Sequence, residues 1–289
     1  MIEKKILKKI APLKFLEFYR KVNSSDFKIK MLEGQIKNQW LIQNRGEIKD
    51  QKEMIRRHEF KIYSQTGEDG IINYIFSKID TKNKKFVEIG IEDGKECNTA
   101  NLSLNFGWKG MLIEGNKEYA TKAKDYYKNL PVNVVNAFVS RKNINSILKE
   151  HSIKGEIDLL SIDIDGNDYW ILKEISMVNP RVIIVEYNAV FGKESITIKY
   201  DPNFNRLKKH SSGFYYGSSL SALNNLAESK GYILVGCNSF GFNAFFVRKN
   251  EAKNFFHKLS PIEADPLFLG ETEIKKRFEK IKHLEFEKV

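Results

Sequence analysis

Short apolar runs alternate with longer segments of helical spacing along residues 63–250 of this 289-residue chain. Each run ends in acidic or small polar residues, and the runs are Lys85–Ile91, Gly110–Glu114, Val132–Val139, Ile157–Asp163 and Arg181–Glu186. Strands that are flanked by helices in this way predict a parallel sheet covered on both faces.

Two further strands are predicted after a helix at Ser219–Lys230. They span Tyr232–Cys237 and Asn243–Arg248, and only five residues join them. Because so short a link suits a hairpin, the last strand should run antiparallel to its neighbours. The pattern as a whole predicts a Rossmann-like α/β domain. Residues 251–289 then read as one or two helices, of which Ile274–Leu284 is the clearest.

The first 58 residues are also predicted to be helical. Ile6, Ile10 and Leu13 form one apolar stripe, and a second helical pattern runs from about Asp26 to Arg57. This pattern is too irregular for a coiled coil, so we expect it to dock on the main domain or on a second subunit of a homo-oligomer. The predicted division is a basic helical arm (1–58), an α/β domain (59–250) and a helical tail (251–289).

Charge is concentrated at the amino-terminal end. The formal net charge is +11, and residues 1–58 hold fifteen basic residues against seven acidic ones. Such an arm can attract nucleic acid, an anionic membrane or an acidic partner, although the same composition also suits a solvated helix face.

The remaining composition predicts the compartment. No stretch of eighteen apolar residues occurs, and lysines interrupt the first residues, unlike a secretory signal. Cys97 and Cys237 are the only cysteines, too few for a disulfide framework. We therefore expect a cytoplasmic protein, with peripheral membrane contact as a possible role of the arm.

The strongest local motif is FVEIGIEDG at the end of the first predicted strand. Glu88 ends the strand, and Gly90 and Gly94 would let the backbone approach a ligand at the carboxyl edge of the sheet. The glycines could instead serve only a tight turn. The spacing differs from the G-x-G-x-x-G fingerprint of dinucleotide sites, and Glu92 and Asp93 would repel a pyrophosphate. An acidic loop suits the cationic methionine portion of S-adenosylmethionine.

The next two strands supply candidates for the rest of that cofactor. Glu114 ends the second strand, where a carboxylate can accept hydrogen bonds from both ribose hydroxyls, unless it is only an exposed turn residue. Ala137 and Phe138 follow the third strand and could flank an adenine ring, although core packing explains them equally well.

Oxygen-bearing side chains also cluster at the ends of the fourth and fifth strands: Asp163, Asp165, Glu186 and Asn188. Alternate strand residues point the same way, so Asp163 and Asp165 should converge if the strand extends that far. Such a group could hold Mg²⁺ or Ca²⁺. In the structural alternative, Asp165 caps the helix Asn167–Ile175 and Glu186 binds backbone donors.

Six blocks of this sequence resemble the FkbM-like methyltransferases, especially bacterial members linked with surface-polysaccharide loci. The blocks are Ser64–Gly70, Phe86–Gly94, Trp108–Glu114, Asp158–Gly166, Val182–Asn188 and Tyr216–Gly231. The similarity covers about two-thirds of the chain, from Tyr63 to about Lys249. It implies a class I methyltransferase sheet and S-adenosylmethionine as cofactor, with Gln65 and the Glu88–Gly94 turn at its methionine end.

The resemblance also implies an acceptor, namely a hydroxyl group, often on a sugar, glycoconjugate or capsule precursor. Related sugar methyltransferases hold Mg²⁺ with strand-end carboxylates, which implies Asp163, Asp165 and Glu186 as ligands. Asn188 stands where a second carboxylate is expected, and this departure leaves the metal open.

Transfer to a hydroxyl needs a proton acceptor, for which the candidates are Asp163, Asp165 and His210. His210 lies in the basic and aromatic segment KKHSSGFYY, although a lone histidine is often incidental. Methylation of RNA or protein is the second functional hypothesis, and a non-catalytic binding module is the third. No N-P-P-Y motif or nucleic-acid module is visible in the sequence, so a nucleic-acid partner is disfavoured.

Overall fold

A computed structural model describes residues 50–289 of the chain. The predicted stripe at Ile6–Leu13 and most of the helical pattern from about Asp26 to Arg57 therefore lie outside the described residues. The strands are β1 Lys85–Ile89, β2 Lys109–Glu114, β3 Val132–Asn136, β4 Gly155–Ile162, β5 Val178–Glu186, β6 Ile196–Ile198, β7 Tyr232–Cys237, β8 Asn243–Arg248 and β9 Phe286–Lys288.

Eleven α-helices are described in the same range, with one 3₁₀ turn at Ala189–Phe191. The helices are α1 Gln51–Arg57, α2 Glu68–Ile79, α3 Ala100–Phe106, α4 Lys117–Tyr127, α5 Ile144–Glu150, α6 Asp168–Glu174, α7 Arg206–Lys209, α8 Leu220–Ser229, α9 Lys249–Ala252, α10 Pro261–Ala264 and α11 Gly270–Glu279. Within residues 50–289, none of them is long and apolar enough to cross a bilayer.

Seven strands form one sheet in the order β3-β2-β1-β4-β5-β8-β7. The first five strands in this order are parallel, and β8 is antiparallel to both β5 and β7. The predicted α/β fold, with its mostly parallel sheet and antiparallel last strand, is therefore confirmed. After β3 the chain crosses to the other side of β1, where β4 pairs. The carboxyl ends of β1 and β4 therefore lie at a switch point, where such sheets bind ligands.

Two apolar layers enclose the sheet, one on each face. Val87 and Leu160 pack on one side, whereas Phe86 and Leu159 pack on the other. Successive residues of one strand thus enter different layers, as strand geometry requires. This burial on both faces explains why the strands read as continuous apolar runs.

The ends of the described chain differ from the sequence predictions. Helix α1, assigned to the basic arm, packs on β7, with Ile55 against Gly236. The tail contains α10, α11 and also β9, which pairs with β6 in a separate two-stranded sheet. The predicted terminal helix is shorter than expected, because α11 ends at Glu279.

Candidate active site

A cavity of about 630 Å³ opens at the carboxyl edge of the sheet, a size typical of small-molecule sites. The ends of β1, β2, β4 and β5 contribute to its wall. Among the described lining residues, seven are acidic and one, Arg206, is basic. The cavity is therefore acidic although the chain as a whole is strongly basic.

The two glycines after β1 are required by packing. A Cβ at Gly90 would lie 1.7 Å from the backbone oxygen of Asp163, and its φ is +80°. Gly94, with φ of +76°, faces Tyr127, where a Cβ would lie 2.8 Å from the ring. Gly90 lines the cavity, but Gly94 does not, so the prediction that Gly94 contacts the cofactor is corrected. Its role is to accept a hydrogen bond from Tyr127 through its carbonyl.

Glu88 lines the cavity but its carboxylate is occupied by the loop before α3. It accepts from Asn98 N at 2.8 Å, from Thr99 N at 2.9 Å and from Thr99 Oγ1 at 2.6 Å. Burial raises the pKa of Glu88, and these hydrogen bonds oppose the shift. Glu88 therefore shapes the wall by holding Asn98 in place.

Glu114 lies at the end of β2, as predicted, and is oriented by three backbone donors. Its Oε2 accepts from Ile91 N at 3.2 Å and Glu92 N at 2.9 Å, and its Oε1 accepts from Asn116 N at 2.7 Å. Each carboxylate oxygen can accept more than one hydrogen bond. The side chain is thus fixed at the cavity wall with acceptor capacity to spare.

The predicted adenine residues also line the cavity, beyond Glu114. Phe138 is 60% exposed, and a Cβ at Gly115 would lie 2.9 Å from its ring, so the ring lies over the turn after β2. Ala137 N is held by the carbonyl of Glu114 at 3.0 Å. An exposed aromatic face beside a polar acceptor suits a planar heterocycle.

Gln65 reaches the cavity from a loop fixed by two buried acids. Asp69 Oδ2 accepts from the backbone nitrogens of residues 62–64 at 2.7–2.9 Å. Glu68 Oε1 accepts from Asn238 Nδ2 at 2.8 Å and Asn243 Nδ2 at 3.0 Å, which ties the loop to the β7–β8 hairpin. The sequence SQTGEDG thus contributes one cavity residue and two residues that position it.

Three carboxyl groups converge at the other end of the cavity wall. One oxygen each of Asp163, Asp168 and Glu186 lies within 4.8 Å of the others. Asp168 Oδ1 and Oδ2 accept from Ile164 N at 2.8 Å and Gly166 N at 2.9 Å. Desolvation raises the pKa of Asp168 to about 6, against these hydrogen bonds.

Asp163 and Glu186 lack such donors and act as a pair. Glu186 Oε2 is buried without a hydrogen-bond donor among residues 50–289. Desolvation and the charge of neighbouring carboxylates raise the pKa of both groups well above the usual range. The two groups are close enough to hydrogen bond when one is protonated. They form a crowded carboxyl pair in which burial and mutual repulsion favour the protonated form of one member.

Asp165 does not belong to the group formed by Asp163, Asp168 and Glu186. The prediction that Asp165 binds a metal beside Asp163 is therefore corrected. Strand β4 ends at Ile162, so the alternation of side chains stops before Asp165, whose φ is +53°. Its exposed carboxylate pairs with Arg206, whose guanidinium lies 3.6 Å from the centre of the Tyr216 ring. Asp165 still lines the cavity, where it orients Arg206.

Asn188 and His210 are outside the cavity lining, so their predicted roles are corrected. Asn188 Oδ1 accepts from Val190 N, and its Nδ2 donates to the carbonyls of Phe214 and Tyr216, so no group remains for a metal. His210 Nδ1 lies 2.7 Å from Ser212 Oγ, and this contact belongs to the loop outside the cavity lining.

Sequence reasoning missed three important residues, namely Asp168, Arg206 and Tyr216. Asp168 is the first residue of α6, and the cap predicted for this helix, Asp165, lies three positions earlier. Arg206 lies just before the segment that was singled out for its basic and aromatic residues, and Tyr216 is the last residue of that segment. Their contact could not be foreseen, because a ten-residue separation does not specify how the loop folds back.

Comparisons with known proteins give distant structural neighbours and one family. The N-terminal domain of EvdMO1 with SAH bound is 12% identical, with 70% of this chain and 98% of that chain covered and a TM-score of 0.40. An O-methyltransferase from Bacillus cereus in complex with SAH is 16% identical, covers 72% and 94%, and has a TM-score of 0.39. A SAM-dependent methyltransferase from Aquifex aeolicus is 13% identical, covers 61% and 88%, and scores 0.36. No curated protein matches the sequence significantly.

The family match identifies an enzyme of the S-adenosylmethionine-dependent methyltransferase class, and the α/β fold with its cavity at the switch point is consistent with that class. Residues 78–234, more than half of the chain, match the methyltransferase FkbM domain family. The chain belongs to this family, so the predicted family and cofactor are confirmed.

Proposed function

We propose that this enzyme transfers a methyl group from S-adenosylmethionine to a hydroxyl group of a sugar or glycoconjugate. The observation that carries the proposal is the lining of the cavity, which presents hydrogen-bond acceptors: the side chains of Glu114, Asp163, Asp165, Asn167 and Glu186. Carboxylate and amide oxygens accept hydrogen bonds, so this wall suits a ligand that is rich in donors. A polyhydroxylated ring meets this requirement.

The cofactor is assigned to the part of the cavity between β1 and β3. Glu114 would accept from the ribose hydroxyls, while Phe138 and Ala137 would cover the adenine. Gln65 and the Glu88–Ile91 turn would hold the methionine end, with the acidic lining attracting its ammonium and sulfonium charges. This assignment leaves the Asp163–Glu186 end for the acceptor.

The carboxyl pair gives a chemical route for the transfer. The acceptor oxygen attacks the methyl carbon, the new C–O bond forms, and the bond from that carbon to sulfur breaks. The hydroxyl proton passes to whichever of Asp163 and Glu186 is ionised, and the sulfonium becomes a neutral thioether. A carboxylate whose pKa is raised is a stronger base than a solvated one, which favours this proton transfer.

The shape and charge of the acceptor end also support a neutral sugar. Phe204 and Tyr216 offer aromatic surface beside the carboxyl pair, and Arg206 is held by Asp165 and Tyr216. An acidic lining repels the phosphates of RNA, which weighs against the hypothesis of nucleic-acid methylation.

A divalent cation is a second way to neutralise the three carboxyl groups. Asp163, Asp168 and Glu186 supply the oxygen ligands that Mg²⁺ prefers, and Glu186 Oε2 has no donor in the described part of the chain. When bound, such an ion would lower the pKa of the acceptor hydroxyl. This ligand set replaces the one predicted from the sequence, since Asp165 and Asn188 are engaged elsewhere.

Methyl transfer from tritiated S-adenosylmethionine to a panel of neutral sugars, anionic sugars, amines and RNA tests the proposal. We expect labelled product with neutral sugars, at an oxygen position identified by mass spectrometry of the product. Label on nitrogen, or on RNA alone, would overturn it. Parallel reactions with EDTA and with added Mg²⁺ distinguish a carboxyl pair that shares a proton from one that binds a cation. Transfer by a metal-free pair is unaffected by EDTA, whereas transfer that needs the cation is lost with EDTA and restored by Mg²⁺.

A further inference from the structure

Three exposed phenylalanines form a continuous surface at the mouth of the cavity. We call Phe240, Phe242 and Phe268 the aromatic rim; they are 41%, 41% and 57% exposed. The rings of Phe240 and Phe242 are nearly parallel, with centroids 6.1 Å apart, and Phe268 lies 5.2 Å from Phe240. Contiguous apolar surface of this kind commonly marks a binding site.

The aromatic rim is continuous with the acceptor end of the cavity. Phe242 lines the cavity, and the neighbouring Asn243 pairs with Glu186 across β8 and β5. The carbonyl of Phe242 accepts from Tyr187 N at 2.8 Å, so the backbone of the first rim residue is fixed next to the end of β5. Phe240 and Phe268 extend this surface away from the cavity.

The turn that carries the rim is rigid. Asn238, which is fully buried, accepts from Phe242 N at 2.9 Å and Asn243 N at 3.0 Å through its side-chain oxygen. A Cβ at Gly241 would lie 3.2 Å from the hydroxyl of Tyr187, which restricts the turn further. Two aromatic rings are therefore held in solvent before any ligand binds, which reduces the entropy cost of binding.

The charge around the rim limits what can bind there. Residues 238–242 carry no charge, and residues 265–269 carry only Asp265. Neither segment has a lysine or arginine, and Arg56, which approaches the second segment, donates to the carbonyl of Ala264. Contact with an anionic membrane or a nucleic acid would require basic side chains on this surface. A neutral ligand with apolar faces and hydroxyl edges fits both the rings and the lack of basic charge.

We propose that the aromatic rim binds the sugar units next to the one that is methylated, so the natural acceptor is a neutral oligosaccharide or glycoconjugate of several rings. This inference rests on the proposed function. The methylated ring would occupy the cavity beside Asp163 and Glu186, while the following rings stack their C–H faces on Phe242, Phe240 and then Phe268. The rim thus selects acceptor length without touching the reacting atoms.

The test uses an array of neutral and anionic glycans, read both for bound protein and for methyl transfer from tritiated S-adenosylmethionine. The best acceptor is then compared in one-ring and three-ring forms on the full chain and on Phe240→Ala and Phe268→Ala. Phe106→Ala is the matched control, because Phe106 is also exposed, at 46%, but ends α3, on the amino side of the sheet.

We expect Phe240→Ala and Phe268→Ala to raise KM about tenfold for the three-ring acceptor, with kcat and the one-ring KM unchanged. Phe106→Ala should change neither. Transfer that shows no preference for longer acceptors, or an equal KM in all variants, would overturn the rim proposal while leaving methyl transfer to a hydroxyl intact. Absence of transfer to any glycan would instead reject the proposed function. A rim variant that loses only binding to anionic phospholipid vesicles would assign the surface to a membrane.

Discussion

Asp158 lies within β4 and Asp163 directly follows that strand, and the protein surrounds these two acids in opposite ways. Asp158 receives a salt bridge from Arg181 at 2.9 Å and hydrogen bonds from the backbone nitrogens of residues 82–84 at 2.7–3.1 Å. Asp163, five residues along, faces two other carboxyl groups. At the amino edge of the sheet the carboxylate has a cation and hydrogen-bond donors as partners, whereas at the carboxyl edge the carboxyl groups lie next to one another.

The acid at the amino edge belongs to a cluster that stabilises the fold, whereas the acids at the carboxyl edge have the features of catalytic groups. Arg181 is 1% exposed and also donates to the carbonyls of Ile79 and Asp80 and to Glu251, so this cluster joins α2, β4, β5 and α9. The carboxyl pair at the other edge makes no comparable connections. Crowded, desolvated carboxyl groups destabilise a fold and are characteristic of active sites.

The largest expected effect is on turnover at the carboxyl edge. Glu186→Gln removes one member of the pair without changing its size, and we expect kcat to fall by about 10²–10⁴, the usual contribution of a general base. The affinity for S-adenosylmethionine, measured by calorimetry, should change little. A Glu186→Gln enzyme with unaltered kcat would remove this residue from proton transfer.

Substitutions in the Arg181–Asp158 cluster at the amino edge should lower the free energy of unfolding. Arg181→Met leaves Asp158 buried without its cation, and breaking a buried pair typically costs about 3–5 kcal/mol. The free energy of unfolding from urea denaturation measures this loss. Arg141→Met, at a salt bridge whose side chains are 40% and 36% exposed, is the control and should cost far less. Similar losses in both variants would contradict the special role of the amino-edge cluster.

Cofactor binding should depend on a third acid, Glu114, more than on either aspartate. Glu114→Ala removes a charged hydrogen-bond acceptor worth about 1.5–3 kcal/mol, so affinity should fall about tenfold or more. Calorimetry with S-adenosylmethionine measures the change, and circular dichroism confirms folding. Unchanged affinity in a folded variant would show that Glu114 lies outside the cofactor site.

The smallest expected effect is a pH dependence of opposite sign at the two edges. The pKa of Asp168 is raised to about 6, so between about pH 4 and 6 the folded protein binds more protons at this residue than the unfolded protein does. The contribution of Asp168 to the free energy of unfolding therefore declines as pH rises through this range. Hydrogen bonding from Arg181 lowers the pKa of Glu251 to about 2, so its contribution is lost as pH falls from about 4 towards 2.

Two variants distinguish the pH dependence of stability at the carboxyl edge from that at the amino edge. Asp163→Asn should flatten the decline of the urea midpoint at rising pH, because the pKa of Asp163 is also raised. Glu251→Gln should instead reduce the loss at acidic pH. If Asp163→Asn changed the loss of stability at acidic pH, or Glu251→Gln changed the decline at rising pH, the two clusters of charged residues would not be independent.

The fold was predictable because the central strands β1, β4 and β5 are buried on both faces and leave short, largely apolar runs. The antiparallel β8 followed from a link of five residues to β7. The small sheet was not predictable, since β6 and β9 have three residues each and lie far apart in the chain. Three-residue strands show too little periodicity to be recognised.

The site was predictable wherever a residue directly follows a strand. Glu114, Asp163 and Glu186 all line the cavity as the rule on strand ends indicates. The prediction was wrong at Asp165, because it extended the alternation of β4 past Ile162. Asn188 was misassigned for a local reason, since its amide caps the following turn.

The central claim is that Asp163 serves turnover and Asp158 serves stability. Asp158→Asn and Asp163→Asn make the same chemical change, one within β4 and one directly after it. Turnover per folded molecule and the thermal midpoint can therefore be compared directly at a temperature where both variants are folded. We predict that Asp163→Asn loses turnover by about 10²-fold or more while its midpoint is kept or raised. Asp158→Asn should show a lowered midpoint and normal turnover. An Asp163→Asn enzyme that turns over normally would contradict the account.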